Sequence, residues 1–369
     1  MSKKAIVIGG GVAGPVAAIA LRRIGWDATV YEAYTDPAGD VGSYVSLGAN
    51  GLRALDAVGA RAAVAAVGTE IPLLRLWSGR GKLLGEAARG RITLMRGHLV
   101  EALRQEAVTA GVRLVTGRRL ETAADLAALR GDADVVIGAD GIHSTLRRII
   151  DPQAAAPEYA GLWTIGGHST HPVEPGSFNL TFGARATFVH AATRHGTVWT
   201  AQVPERAQPE RPLDREGLLA LYAADHGPAR AVIEATDAWH PFTVMRQLPS
   251  PPVTAREDLV LIGDAAHPIG AGQGASLAIE DAVLLAKCLR DHHSPSTAVG
   301  TFETLRRSRT AKMVKAAGAN LDAKVAGPFA ARARDVMMPF FFKRFAEKGS
   351  AWMYDYDVEW NTPLTPATA

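Results

Sequence analysis

The sequence predicts an α/β fold: a doubly wound parallel sheet, an inserted antiparallel sheet and a helical C-terminal segment. Three observations carry that reading. The chain opens on a strand, a glycine-rich turn, a helix and a second strand. Two further short apolar runs end in Ala139-Asp140-Gly141 and Gly263-Asp264-Ala265. Between them, from about Pro152 to Pro251, the texture changes to short alternating runs split by Gly, Pro and His-Gly turns.

The opening unit runs from Lys4 to Glu32. Ala5–Ile8 is apolar and β-branched, as a strand buried on both faces should be. Gly9-x-Gly11-x-x-Gly14 follows at once, then Val16, Ile19, Ala20 and Ile24 at helical spacing, with Gly25 to close the helix. Thr29–Tyr31 reads as the second strand, with Glu32 at its end. This is the dinucleotide-binding arrangement. Gly9 permits the tight turn, Gly11 lets a pyrophosphate approach the backbone, and Gly14 brings helix against strand. The helix N-terminus offers free N–H groups and the positive dipole end. Pro15, in the first turn, loses little by lacking an N–H. Glu32 is placed to accept hydrogen bonds from a ribose and to repel a 2′-phosphate.

A chain of 369 residues, 47% hydrophobic and 21% charged, is long enough for one large or two ordinary domains. Its net charge of +3 (40 basic minus 37 acidic) comes without a basic run, so nucleic acid is not an expected partner. No apolar stretch reaches membrane-span length, and Met1-Ser2-Lys3-Lys4 leads straight into a strand, so a cytoplasmic protein is expected. The single Cys288 excludes an intramolecular disulfide, and its apolar surroundings place it inside a packed helix. No His, Cys and carboxylate cluster has metal-ligand spacing, and no metal is expected.

The remaining elements follow in order. A helix is expected from Gly51 to about Val58, strands within Ile71–Gly85, a helix opening in Leu94–Leu103 with Arg96 at its amino end, and a strand over Val112–Thr116. Asp134–Asp140 is a buried strand, and Ser144 can cap a helix carrying Arg147. The insert contains strands such as Phe178–Phe182, Ala186–Ala191 and Thr197–Val203, and a helix over Leu218–Ala235. Asp258–Asp264 is another buried strand, followed by a glycine-rich loop and a helix from about Gly274 to Leu289. Beyond Pro295 the chain is helical, ending in an aromatic stretch (Phe340-Phe341-Phe342, Trp352, Tyr354, Tyr356, Trp360) expected to pack in a core.

Taken together, Gly9-x-Gly11-x-x-Gly14 with Glu32, Gly138-Ala139-Asp140-Gly141-x-x-Ser144-x-x-Arg147, and Gly263-Asp264-Ala265-Ala266-His267 leading to Gly272-Gln273-Gly274 resemble the flavin-dependent aromatic hydroxylases of the p-hydroxybenzoate hydroxylase fold. Order and spacing fit over about residues 4–290. The resemblance implies non-covalent FAD, with Gly9, Gly11, Val12, Ala13 and Gly14 at the pyrophosphate and Glu32 and Ala33 at the adenosine ribose. It further implies Arg96 at the ribityl–phosphate region, Leu120 at the adenine through its backbone, and Asp140 and Gly141 near the pyrophosphate. Asp264 would bind a ribityl hydroxyl, and the amides of Gly272, Gly274, Ala275 and Ser276 would face the flavin pyrimidine edge. Two features depart from the family. Only Pro268, Ile269, Gly270 and Ala271 separate His267 from Gly272, where six residues are usual, and Ser276 replaces a frequent asparagine.

The implied reaction is NAD(P)H- and O2-dependent monooxygenation of an aromatic or other electron-rich small molecule, by hydroxylation or epoxidation through a flavin C4a-hydroperoxide. NADPH or NADH would be a transient co-substrate, docking near Asp140–Arg147 with Arg147 as a phosphate partner, because only one nucleotide-binding unit is present. Tyr44, His190 and Trp199 are candidates for the substrate wall, while no catalytic side chain is assigned. A base that deprotonates a phenolic substrate could come from His168, His190 or His195 in the sheet domain, but each is read first as a structural or surface histidine. Two other readings stay open: an FAD-dependent reductase or oxidase without oxygen transfer, and a non-catalytic flavin-binding protein. The expected division is an FAD-binding domain over residues 1–72, 94–153 and 251–295, a substrate-binding sheet domain over 73–93 and 154–250, and a helical segment over 296–369.

Overall fold

A computed structural model describes residues 2–35, 42–270, 272–324 and 328–364. Among them the strands form three sheets. The first has six strands in the order Ala255–Arg256, Leu259–Leu261, Val135–Gly138, Lys4–Ile8, Asp27–Tyr31 and Arg113–Val115. It is parallel apart from the short hairpin at one edge. Ala5–Ile8 is buried throughout, as its unbroken apolar run requires. The helices Ala13–Arg23 and Gly274–Asp291 pack together with the sheet in one large core that includes Val16, Ile19, Ile279 and Val283. Cys288 lies in that core, fully buried, and burial pushes its thiol up to about 12.

The second sheet takes the insert and has eight strands. Their order is Thr236–Trp239, Glu158–Ser169, Gly196–Pro204, Thr187–Thr193, Ser177–Phe182, Leu73–Ser78 and Leu83–Ala87, with Thr243–Gln247 also pairing to Glu158–Ser169. All its pairs are antiparallel except one: Ser177–Phe182 runs parallel to Leu73–Ser78. One face carries Trp163, Phe188, Trp199 and Ala201 and is covered by the short helices Arg215–Leu221 and Ala229–Glu234. The expected single helix over Leu218–Ala235 is therefore two, because Asp225-His226-Gly227-Pro228 interrupts it and Pro228 caps the second. The opposite face, with Phe178, Val189, Ala191 and Val198, packs on Ile71 and Tyr44.

Those two residues belong to the third sheet, Tyr44–Gly48, Arg91–Met95 and Thr69–Ile71, which bridges the other two. The helix expected to open at Leu94 starts at Arg96; Arg91–Met95 is a strand ahead of it. The long helices Pro295–Lys324 and Pro328–Tyr354 complete the chain. The aromatic tail divides: Val358 is buried and Tyr356 and Trp360 pack against the first core, whereas Phe340 is exposed.

Candidate active site

Three loops far apart in sequence meet at the carboxyl edge of the parallel sheet. Ile8, Gly138 and Leu261 end neighbouring strands in register, since Ile8 pairs with Gly138 and Leu261 with Gly138. Backbone bonds tie the loops together: Gly9 N–H donates to Tyr31 O (2.8 Å), Ala139 N–H to Ile8 O (2.8 Å) and Ile262 N–H to Gly138 O (2.9 Å). This is the edge at which open α/β sheets take their ligands.

The glycine turn is built for close approach. Gly9 has φ +111°, and a Cβ there would lie 2.2 Å from Ala139 O. A Cβ on Gly14 would lie 1.9 Å from Gly9 O, so helix and turn touch through backbone. At Gly11 a Cβ would meet nothing within 4 Å, which leaves the outer side of the turn open. The helix Ala13–Arg23, entered from Val12, has no side-chain cap and no acid in its first turn, so its leading N–H groups remain for an anion. Glu32 is buried at the end of its strand beside Ala33; Oε2 accepts from Gly10 N–H (2.7 Å) and Oε1 from Tyr34 N–H (3.0 Å). Arg104, which the sequence reading did not single out, lies 3.1 Å from Glu32 and donates to Gly10 O. Leu120 is buried among Ile6, Ile8 and Leu126.

In the second loop Asp140 Oδ2 accepts from Thr145 N–H (2.8 Å) and Leu146 N–H (3.1 Å), while Oδ1 is buried without a hydrogen-bond partner. Gly141 follows with φ +78°. Ser144 caps the helix Thr145–Ile150 by accepting from Arg147 N–H, as expected. Arg147 is not available to a nicotinamide cofactor. It is 2% exposed, and its guanidinium donates to Ala265 O (2.7 Å) and Ile142 O. Its apolar neighbours and the helical cap draw it inward, where it clips the second loop to the third.

The third loop presents Asp264 in the single turn Gly263–Ala265. Its side chain reaches solvent, yet the surrounding protein raises its carboxyl pKa, opposed by the charges of His267 and Arg96. Arg96, exposed at the start of its helix, thus faces the same cleft. His267 Nε2 lies 2.5 Å from Asp281, which also accepts from Gly263 N–H (2.9 Å). Burial alone would raise Asp281, but Arg306 and His267 hold it down to about 2. Gly272 has φ +139°, and the helix from Gly274 has no side-chain cap and no acid in its first turn. Ser276 spends its hydroxyl inside the protein, accepting from Gly48 N–H (3.0 Å). At Ser276 the backbone N–H therefore remains for a ligand, with those of Gly274 and Ala275 in the same uncapped first turn. In the short loop before it, Ala271 lies outside the described residues. A Cβ on Gly270 would lie 3.4 Å from Met245 Cε of the insert.

Of the three substrate-wall candidates, one faces the junction of the sheets. Tyr44 meets Phe178 edge-on at 6.3 Å, and burial raises its phenol well above the ordinary value, against a hydrogen bond from Thr200 and the charge of Arg91. Trp199 and His190 do not face it. Trp199 is fully buried on the helix-covered face, stacked on Phe188 at 5.5 Å and donating to Thr236 Oγ1. His190 shares that face by strand alternation, 5.5 Å from Phe188, and burial lowers it to about 4. The sequence reading also passed over Arg91. Its guanidinium lies 4.7 Å over the Phe178 ring, and Nη2 is buried without a hydrogen-bond partner.

These residues fit a bound FAD. The open side of Gly11, the uncapped start of the helix Ala13–Arg23 and the cleft-facing Asp264 and Arg96 are what a pyrophosphate and polyol chain require. Comparisons with known proteins agree. A family profile described as "FAD binding domain" matches residues 2–317. The chain is 30% identical over 334 residues to an aurachin C monooxygenase/isomerase of Stigmatella aurantiaca, covering 82% of this chain and 85% of that protein. It is 31% identical over 342 residues to a 3-amino-4-hydroxybenzoate 2-monooxygenase of Streptomyces cremeus, covering 83% and 84%. Among solved structures, Klebsiella pneumoniae HpxO complexed with FAD and uric acid superposes with a TM-score of 0.79 at 22% identity, covering 96% of each chain.

Proposed function

The chain belongs to the FAD-binding family of flavin-dependent aromatic monooxygenases, and on that basis we propose how its residues divide the work. It is an oxidoreductase that uses FAD, with NAD(P)H as the co-substrate typical of the family, to hydroxylate an aromatic small molecule. Bound FAD supplies the redox chemistry; the chain supplies binding, orientation and a sheltered cavity. Gly9, Gly11, Val12, Ala13 and Gly14 take the pyrophosphate, Glu32 and Ala33 the ribose, Leu120 the adenine edge, and Asp140 and Gly141 the far side of the pyrophosphate. Arg96 and Asp264 hold the polyol chain. The amides of Gly272, Gly274, Ala275 and Ser276 would offer a helix N-terminus to the pyrimidine edge of bound FAD, a dipole that favours negative charge there.

The substrate sits beside Tyr44, where the bridging sheet meets the insert, and an electron-rich ring suits oxygen transfer from O2. The FAD-binding part then comprises residues 1–72, 94–153 and 251–295, the substrate part 73–93 and 154–250, and the protein works in the cytoplasm. Among the described residues no helix is long and apolar enough to cross a membrane.

The observation that carries this reading is the convergence of the three loops at one sheet edge. It is tested by purifying the protein and precipitating it with acid. A yellow protein whose flavin passes entirely to the supernatant as FAD is expected, since Cys288 is buried in the core and His267, beside Asp264, is buried against Asp281. Colour retained in the pellet contradicts the non-covalent assignment, and a colourless protein that takes up no added FAD contradicts the site.

A further inference from the structure

The helix Arg96–Thr109 delivers two arginines to the cofactor edge. Arg96 opens it, and Arg104 follows about two turns later. Arg104 is 7% exposed, and its environment is the carboxylate and the glycine loop that the adenosine end of FAD requires. Its Nη2 lies 3.1 Å from Glu32 Oε2, and its Nε donates to Gly10 O at 2.6 Å. Glu32 Oε2 in turn accepts from Gly10 N–H at 2.7 Å. Gly10 is therefore gripped at both its N–H and its C=O by one buried ion pair. A Cβ at position 10 would lie 3.0 Å from Glu32 Oε2 and 3.2 Å from Arg104 Nη2, so the loop is seated directly on that pair.

We infer that Arg104 is a positioning residue for FAD: it holds the Glu32 carboxylate oriented for the ribose and fixes the Gly10 turn that receives the pyrophosphate. The inference rests on the FAD-binding reading above. The physical reason is the cost of burying an isolated carboxylate. Glu32 is also only 7% exposed, and without its ion-pair partner the carboxylate would swing out of the site toward water. That movement removes the acceptor that the ribose hydroxyls need and frees Gly10. With Arg104 in place the acceptor geometry is set before the cofactor arrives, so binding does not bear the cost of ordering it. Oε1 receives only Tyr34 N–H among the described residues, which leaves lone pairs for a ribose hydroxyl. Arg104 Nη1 is buried without a hydrogen-bond partner, so internal bonds do not use the whole guanidinium.

The test is FAD affinity of the apoprotein, followed by quenching of flavin fluorescence, for wild type, Arg104→Met, Arg104→Lys, Glu32→Gln and the double variant Arg104→Met/Glu32→Gln. Arg104→Met should weaken FAD binding about tenfold or more, and Arg104→Lys should recover part of the loss. Because Arg104 acts through Glu32, the double variant should bind no worse than Glu32→Gln alone, within about threefold. Circular dichroism of each apoprotein reports folding. Should Arg104→Met fail to fold, the double variant, which buries no lone charge, decides against Glu32→Gln. Affinity of Arg104→Met within about threefold of wild type, or losses that multiply in the double variant, overturns the inference. A wild-type protein that binds no FAD would instead overturn the family-based reading.

Discussion

At the scale of the residue, the cleft separates side chains that meet a ligand from those that hold the loops in place. Asp264 and Arg96 reach solvent and face the same space. Asp264→Ala and Arg96→Ala should each remove a charged hydrogen bond to FAD, about 1.5–3 kcal/mol, and so weaken binding about tenfold to a hundredfold. Their melting temperatures should stay near wild type. Unchanged FAD affinity in both variants would show that the polyol chain runs elsewhere.

Arg147 and Trp199 show why residue roles were only partly legible. Both stand in stretches that point to a ligand, but their orientation depends on partners distant in sequence: Ala265 for Arg147, Phe188 and Thr236 for Trp199. Arg104 and Arg91 were missed for the same reason. An arginine inside a helical or alternating run looks like a solvated surface residue until its counter-group is known.

At the scale of the element, the helix Gly274–Asp291 is the strut of the molecule. Its amino end faces the cleft, and its middle carries the buried acids Glu280 and Asp281. Glu280 pairs with Arg306 (3.0 Å) and Arg309 (2.6 Å) and accepts from Asn50 (2.6 Å); Arg306 also contacts Asp281 (2.5 Å). Arg309 donates onward to Trp352 O (2.7 Å) and Met353 O (3.1 Å), and its guanidinium lies 3.9 Å over the Tyr356 ring. Lys287, from the same helix, donates to Val358 O (2.9 Å) and Glu359 O (2.7 Å). The C-terminal stretch is thus held to the cofactor helix by cations on backbone carbonyls.

Arg309→Met removes one partner of a buried pair and should cost about 3 kcal/mol of stability, with faster proteolysis in the C-terminal stretch. A melting temperature and cleavage rate equal to wild type would show that the network adds nothing. The helix itself was legible, because its apolar periodicity and the glycines before it are local. The network was not, since Arg306 and Arg309, on a polar helix beside Arg307 and Lys312, look like solvated side chains until their buried partners are known. The strand Arg91–Met95 was not singled out, and its Leu94 and Met95 were read with the following helix because Leu94, Leu99 and Leu103 look continuous. The structure instead pairs it with Tyr44–Gly48.

At the scale of the whole molecule, the parallel sheet and the insert meet through the small bridging sheet, and the junction brings Tyr44, Phe178 and Val198 together. Met245 of the insert also approaches the shortened loop at Gly270. The parallel half was readable in advance, because each of its strands is an apolar run with its own glycine signal. The insert was readable as strands but not in its pairing. The parallel match of Leu73–Ser78 with Ser177–Phe182 joins segments about a hundred residues apart, and no local pattern encodes it.

The central claim is that this junction lets a reduced flavin pass oxygen to an electron-rich ring rather than only shed electrons. It is tested most directly by NAD(P)H oxidation in air by the FAD-loaded protein, across a panel of phenols and hydroxylated heteroaromatics, with hydrogen peroxide and ring products measured together. The account predicts at least one compound that speeds NAD(P)H oxidation, lowers the peroxide formed per turnover and appears as a hydroxylated product. NAD(P)H oxidation that yields peroxide alone with every compound, or no flavin reduction at all, would contradict it.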